Sequence, residues 1–216
     1  MDEKKLKQSI HELKQHTKKN FKQTVDLIIN LKGLDLKKPE HQIELFLELP
    51  RYKGKKAKIC ALVGPEMADS AKNGMDGFVL QPDFEKYAQN KKLIKKLASE
   101  YDFFVGQATI MPKIATVFGR VLGPKGKMPN PKAGCVVPPN ANLKTVHDKL
   151  MNSVKVSGKK APLLQTTVGN EESKDEDILE NVKFVYSSVI THLPQEQFNV
   201  KSVYIKYTMG KPLRIM

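Results

Sequence analysis

The spacing of apolar positions changes several times along the chain, and each change predicts an element. Leu6, Ile10 and Leu13 recur at helical spacing among lysines, which predicts an amphipathic helix over 4–19. "TVDLIINL" (24–31) and "IELFLEL" (43–49) read as strands. In the second, Ile43, Leu45, Leu47 and Leu49 share one face while Glu44 and Glu48 share the other, as in a sheet with one solvated side. "KICALVG" (58–64) is almost entirely apolar, the pattern of a strand buried on both faces. There follow a helix from Pro65, a short strand "GFVL" (77–80), a lysine-rich helix near 83–100, a strand "DFFVGQA" (102–108) and a helix "MPKIATVFG" (111–119). Strands alternating with helices predict a parallel, three-layer α/β unit of Rossmann-like type.

After a Gly- and Pro-rich stretch, "NANLKTVHDKLM" (140–151) predicts an Asn-capped helix. "VKVS" (154–157) and "PLLQTTVG" (162–169) read as strands. "SKDEDILENVKFVYSSVITHL" (173–193) reads as a helix in which Ser173 and the first-turn acids suit the positive N-terminus. Ile178, Val182, Val185 and Val189 make its buried stripe. "VKSVYIKYT" (200–208) is a final strand, and "MGKPLRIM" ends the chain. The first piece holds too few elements to fold alone, and so does the last. The predicted fold class is therefore α/β: an α+β end-domain formed by 1–58 and 156–216, with a Rossmann-like α/β domain (59–155) inserted into it. The basic connector "PRYKGKKAK" (50–58) is the junction, and two chain crossings make a natural hinge.

Charge changes the picture from fold to partner. Lys and Arg number 37 against 23 Asp and Glu, a net charge of +14. Residues 1–58 carry 15 bases and 8 acids, 59–155 carry 14 and 8, and 156–216 carry 8 and 7. Such an excess attracts polyanions, nucleic acid above all. Arg51, Arg120 and Arg214 are the only arginines, so recognition through backbone and shape is favoured over bidentate reading of base edges. No apolar run approaches the length of a membrane span, and the charged start does not read as a signal peptide. A cytoplasmic protein, monomeric when free and without a membrane partner, is expected.

Catalytic motifs fail on spacing. In "LGPKGKMPNPKAG" (122–134), Gly126-Lys127 is followed by Met128, and Val121 stands where a P-loop needs its first glycine. "LVGPEMADSA" has one glycine and no dinucleotide fingerprint. His11, His16, His41, His147 and His192 are scattered, and Cys60 and Cys135 form no metal or redox spacing. No catalytic residue, metal ligand or cofactor is expected. Two alternatives stay open at this point, a nucleotide-dependent α/β enzyme and a nonspecific nucleic-acid-binding protein. The lysine run Lys91, Lys92, Lys95 and Lys96 reads as a solvated helix face. Lys53, Lys55, Lys56 and Lys58, beside Arg51 and Tyr52, read equally as linker or polyanion contact. In "YTMGKP" (207–212), Thr208 offers a hydroxyl, Met209 a flat apolar surface and Gly210 room for close approach.

"GRVLGPKGKMPNPKAG" (119–134), preceded by "IMPKIATVF", resembles the signature of the large-subunit ribosomal protein one family. "NFKQTVDLIINLKGLD" (20–35), "NKKLIKKLASEYDFFVGQA" (90–108), "PPNANL" (138–143) and "YIKYTMGKP" (204–212) extend the resemblance over nearly the whole chain. The length and ending are similar to the archaeal or eukaryotic-type branch. The resemblance implies a non-enzymatic protein of the mobile stalk beside the tRNA exit site, whose end-domain grips ribosomal RNA. It also implies exit-site tRNA as a partner, assistance to tRNA release, and translational repression through the protein's own messenger RNA. Family RNA-contact positions fall on Phe21, Thr24, Asp26, Thr208, Met209 and Gly210, with Asp26 in place of the longer Glu of bacterial members. Gln165 stands where many members carry His, and Lys159 and Lys160 would supply the charge that Gln165 lacks.

Overall fold

The computed structural model describes residues 3–16, 20–35, 37–38, 41–158 and 161–216. In chain order the main elements begin with helix α1 (Glu3–His16) and strands β1 (Thr24–Leu31), β2 (Glu44–Glu48) and β3 (Ile59–Val63). Then come α2 (Ala68–Gly74), β4 (Gly77–Leu80), α3 (Phe84–Gln89), α4 (Lys91–Glu100), β5 (Phe103–Gln107), α5 (Met111–Leu122) and β6 (Val136–Val137). The chain closes with α6 (Leu143–Asn152), β7 (Ser153–Ser157), β8 (Leu163–Asn170), α7 (Asp175–Thr191), β9 (Val200–Tyr207) and β10 (Leu213–Arg214). These elements form two compact units, Met1–Lys55 with Asn152–Met216, and Lys56–Met151.

The first unit is built on an antiparallel sheet of order β10-β9-β1-β8. Along β1, Val25, Leu27, Ile29 and Leu31 are buried while Thr24, Asp26, Ile28 and Asn30 are half-buried on the opposite face. The buried face packs with Leu6, Ile10 and Leu13 of α1 and with Ile178, Val182, Val185 and Val189 of α7 in one core. Each such fully buried aliphatic side chain stabilises the fold by about 1.5–3 kcal/mol. Strands β2 and β7 pair antiparallel as a separate two-stranded sheet. Because β7 begins at Ser153 and pairs with β2, residues 153–155 belong with the chain ends and not with the inserted part.

The second unit is a parallel sheet of order β4-β3-β5-β6. Every residue of β3 is buried, since Cys60 and Leu62 face one apolar cluster and Ile59, Ala61 and Val63 the other. The expected single helix near 83–100 is two helices. The break falls at Asn90, whose extended backbone (φ −125°, ψ 92°) and side-chain bond from the Lys92 N–H (3.0 Å) start α4 afresh. Ser173 does not cap α7 either: Lys174 holds that position, and the Ser173 hydroxyl closes the preceding turn with Asn170. "MGKPLRIM" turns back as β10 onto β9, a pairing too short to show in the sequence pattern.

Candidate nucleic-acid interface

Three strand ends converge at one end of the first unit's sheet. In register, Thr24 lies opposite Asn170 on β8, Val25 opposite Tyr207 on β9, and Asp26 between Thr167 and Lys206. The Thr208 N–H donates to the Thr24 carbonyl (3.1 Å), and the two threonine hydroxyls are hydrogen-bonded at 2.7 Å. The next two residues form a turn, with the Gly210 N–H on the Tyr207 carbonyl (2.9 Å) and the Met209 N–H on Gln23 Oε1 (3.2 Å). Met209 is 66% exposed and Phe21, two residues before Gln23, is 53% exposed, so both apolar side chains stand in solvent. Phe21, Thr24, Asp26, Thr208, Met209 and Gly210 are thus gathered at one sheet end. Gln165 sits farther along the same open face, exposed and opposite Ile28. Lys159 and Lys160, and the side chain of His16, lie outside the described residues.

Asp26 accepts from the Thr167 hydroxyl (3.2 Å) and, at 3.5 Å, from that of Thr24. Burial pushes its carboxyl above the ordinary range, against the Thr167 bond, the Lys206 charge and the Thr24 bond. Tyr207 faces inward; burial, followed by the charges of Glu171 and Asp175, pushes its phenol up to about 12. Lys22 is paired with Glu172 at 2.8 Å, beside the same turn.

Gln23 is the residue that sequence reasoning missed. It is 1% exposed, its carbonyl accepts from the Glu171 N–H (3.0 Å), and its side chain holds the Met209 backbone. The signal was its position, an inward-facing polar residue just before an alternating strand. Buried polar groups of this kind are retained where they satisfy a specific backbone partner.

The basic connector is not a free linker. The Arg51 guanidinium pairs with Glu180 (2.7 Å), and the Arg51 backbone is held by Asn181, which is fully buried. Lys53 is buried and donates to the Ser153 carbonyl (2.9 Å), so of the two readings left open for this run it fits neither a free linker nor a polyanion contact. Gly54, at φ +87°, bonds through its carbonyl to Asn170 Nδ2 (2.9 Å). A Cβ at Gly54 would stand 2.5 Å from Asn170 Cβ, so only glycine fits. Lys55, Lys56 and Lys58 are exposed, as are Lys91, Lys92, Lys95 and Lys96 on α4.

The glycine- and proline-rich stretch also has its place. Beyond α5 the Gly126 N–H bonds the Gly123 carbonyl (2.9 Å), with Gly126 at φ +66°. Lys127 Nζ donates to the Ala98 (3.1 Å) and Tyr101 (2.6 Å) carbonyls, the unpaired end of α4. Lys125 Nζ reaches Ser99 Oγ at 3.2 Å. Through Lys125 and Lys127 the loop is tied to the carboxyl end of α4.

The second unit has the strand order in which nucleotides bind, at the carboxyl ends of the strands where the order reverses. That place lies between β3 and β5, where the buried Gln107 Oε1 accepts from the Gly64 N–H at 2.7 Å. The Gly64 N–H, one of the backbone donors at that place, is therefore taken by a side chain. Burial pushes the Cys60 and Cys135 thiols up to about 12 and about 11, so neither supplies a thiolate nucleophile at neutral pH. Among the described residues no group of three or more His, Cys, Asp or Glu is placed to hold a metal, and no helix is long and apolar enough to cross a membrane.

Comparison with known proteins places the whole chain in a family. The family profile described as "Ribosomal protein L1p/L10e family" matches residues 13–211. Among relatives, the large ribosomal subunit protein uL1 of Methanothermococcus thermolithotrophicus is 38% identical over 216 residues, covering 100% of this chain and 99% of that protein. The uL1 of Nanoarchaeum equitans (strain Kin4-M) is 41% identical over 203 residues, covering 92% and 93%. That of Pyrobaculum calidifontis is 40% identical over 211 residues, covering 97% and 92%. A match over most of the chain, with archaeal relatives aligned over more than nine-tenths of it, leads to one conclusion: the chain belongs to the ribosomal protein L1p/L10e family.

Proposed function

We propose that the sheet end bearing Phe21, Thr24, Asp26 and the 208–210 turn binds ribosomal RNA of the large-subunit stalk beside the tRNA exit site. Membership of the family makes the chain a structural protein of the large ribosomal subunit, acting on the ribosome and not as an enzyme. The observation that carries the RNA reading is the hydrogen-bonded hydroxyl pair Thr24–Thr208, flanked by the exposed Phe21 and Met209. Hydroxyls and backbone groups meet ribose 2′-hydroxyls and phosphates, and exposed apolar side chains meet unstacked bases or sugars. Asp26 adds an acceptor for 2′-hydroxyls, and Gln165 a donor and acceptor farther along the face. Lys159 and Lys160 are proposed to add phosphate contacts.

Two partners extend this reading. The net charge of the inserted segment suits exit-site tRNA, whose release the protein would assist. Recognition by shape admits any RNA presenting the same surface, including the protein's own messenger RNA, which gives a route to translational repression. The test is titration of a stalk-region transcript of large-subunit ribosomal RNA against a plain RNA duplex at fixed salt. Met209→Ala and Gly210→Val should weaken the transcript and leave thermal unfolding nearly unchanged. Equal affinity for both RNAs would mean nonspecific binding, and an unchanged Kd in both variants would remove the turn from the site.

A further inference from the structure

The other end of the same sheet presents an aromatic side chain in an unusual way. Phe198 is 80% exposed, the most exposed large apolar side chain among the described residues. It sits in the short turn Glu196–Asn199 that leads into β9. Glu196 has φ +47°, and it is the one non-glycine residue with positive φ among the described residues. A backbone of this kind costs about 1–3 kcal/mol and persists only where its surroundings impose it. The surroundings are clear. Asn199 is 2% exposed; its Oδ1 accepts from the Gln195 N–H (2.8 Å) and its Nδ2 donates to the Lys32 carbonyl (3.1 Å). The Lys32 N–H in turn donates to the Asn199 carbonyl (2.7 Å). A buried amide thus clamps the turn to the end of β1 and holds Phe198 outward on a fixed backbone.

The charge around it is positive. Lys32 and Lys201 are exposed and adjoin the clamp, and Lys37 and Lys38 follow in the same loop, against Glu196 and Asp35. The Asp35 carboxylate is engaged with the Lys37 N–H at 3.1 Å. A rigidly presented aromatic among exposed lysines is the arrangement that stacks an unpaired base while cations meet its phosphates.

We propose that Phe198 is a second RNA contact, stacking on an unpaired base with Lys32 and Lys201 on the neighbouring phosphates. The inference rests on the RNA-binding reading above. Strand β9 has eight residues, which at about 3.3 Å each separates this contact from the 208–210 turn by on the order of 23 Å. An RNA segment that spans this distance reaches both ends of the sheet.

The chain contains no tryptophan, so Phe198→Trp places a single fluorescent reporter at the contact. Binding of the stalk-region transcript, followed independently by filter retention, should quench or shift that emission. Phe198→Ala should weaken the transcript about fivefold or more. If the transcript binds, and Met209→Ala weakens it, while the Phe198→Trp emission and the Phe198→Ala affinity stay unchanged, this contact is refuted and the sheet-end site stands. If the wild-type chain does not bind the transcript, both readings fall. Unchanged RNA affinity with lost association of Phe198→Ala to the subunit would make the surface a protein contact and overturn the proposal.

Discussion

Replacing Gln23 by Met tests whether the 208–210 turn is pre-organised from within the fold. Methionine keeps nearly the same length and volume, and the replacement removes the acceptor for the Met209 N–H, a neutral bond of 3.2 Å. Met209 itself is largely exposed, so water can reach the released N–H, and the cost falls at the low end of the range for hydrogen bonds, about 1 kcal/mol. That corresponds to about a fivefold loss of affinity if the turn must be re-ordered on binding. No cation is removed, so the slope of log affinity against log salt should stay the same. The assay is a titration of the stalk-region transcript at several salt concentrations, with thermal unfolding alongside. An affinity within twofold of wild type would show that the turn is held without Gln23. A changed slope would show that the variant altered phosphate contacts, and the reasoning would fail.

Three further outcomes follow from the geometry. The Asp26 carboxyl is raised above its unfolded value, so folding favours its protonated form, and that contribution is lost as pH rises through the raised pKa. Asp26→Asn should therefore gain on wild type in denaturant stability between pH 4 and pH 7; a constant difference would refute the assigned burial cost. Lys127→Met removes two bonds to the end of α4 and should destabilise the inserted unit by about 1–2 kcal/mol, with RNA affinity at the sheet end unchanged. Hydrogen exchange of the α4 amides checks it, and unaltered protection would mean the loop does not support the helix. Glu196→Gly relieves a positive φ and should raise stability by about 0.5–1 kcal/mol, read as a higher unfolding midpoint in urea.

How legible the chain was depended on the range of the interaction. The alternation in β1, the doubly buried β3 and the stripe of α7 could all be read directly, because periodicity reports which side of its own backbone each residue buries. The break at Asn90 escaped because it lies in a polar run, Gln89 to Lys92, that leaves the helical pattern unmarked. Within the candidate site, residue identities came from resemblance, since no local pattern distinguishes "TMG" from an ordinary strand end.

What the sequence by itself determined was most of the longer elements, the basic charge and, through its motifs, the family. Only the tertiary structure decided which of those residues meet. Thr24 and Thr208 are 184 positions apart and share a hydrogen bond because β1 and β9 pair in one register. A shift of one residue would turn either hydroxyl to the buried face. Gln23, Lys53 and Lys127 look like ordinary surface polar residues in the sequence, yet each is committed to a backbone group. The physical reason is that an unsatisfied carbonyl or N–H exists only once the chain has closed around it. A pattern of hydrophobic positions records burial, and the partners of polar groups are set when the strands come together.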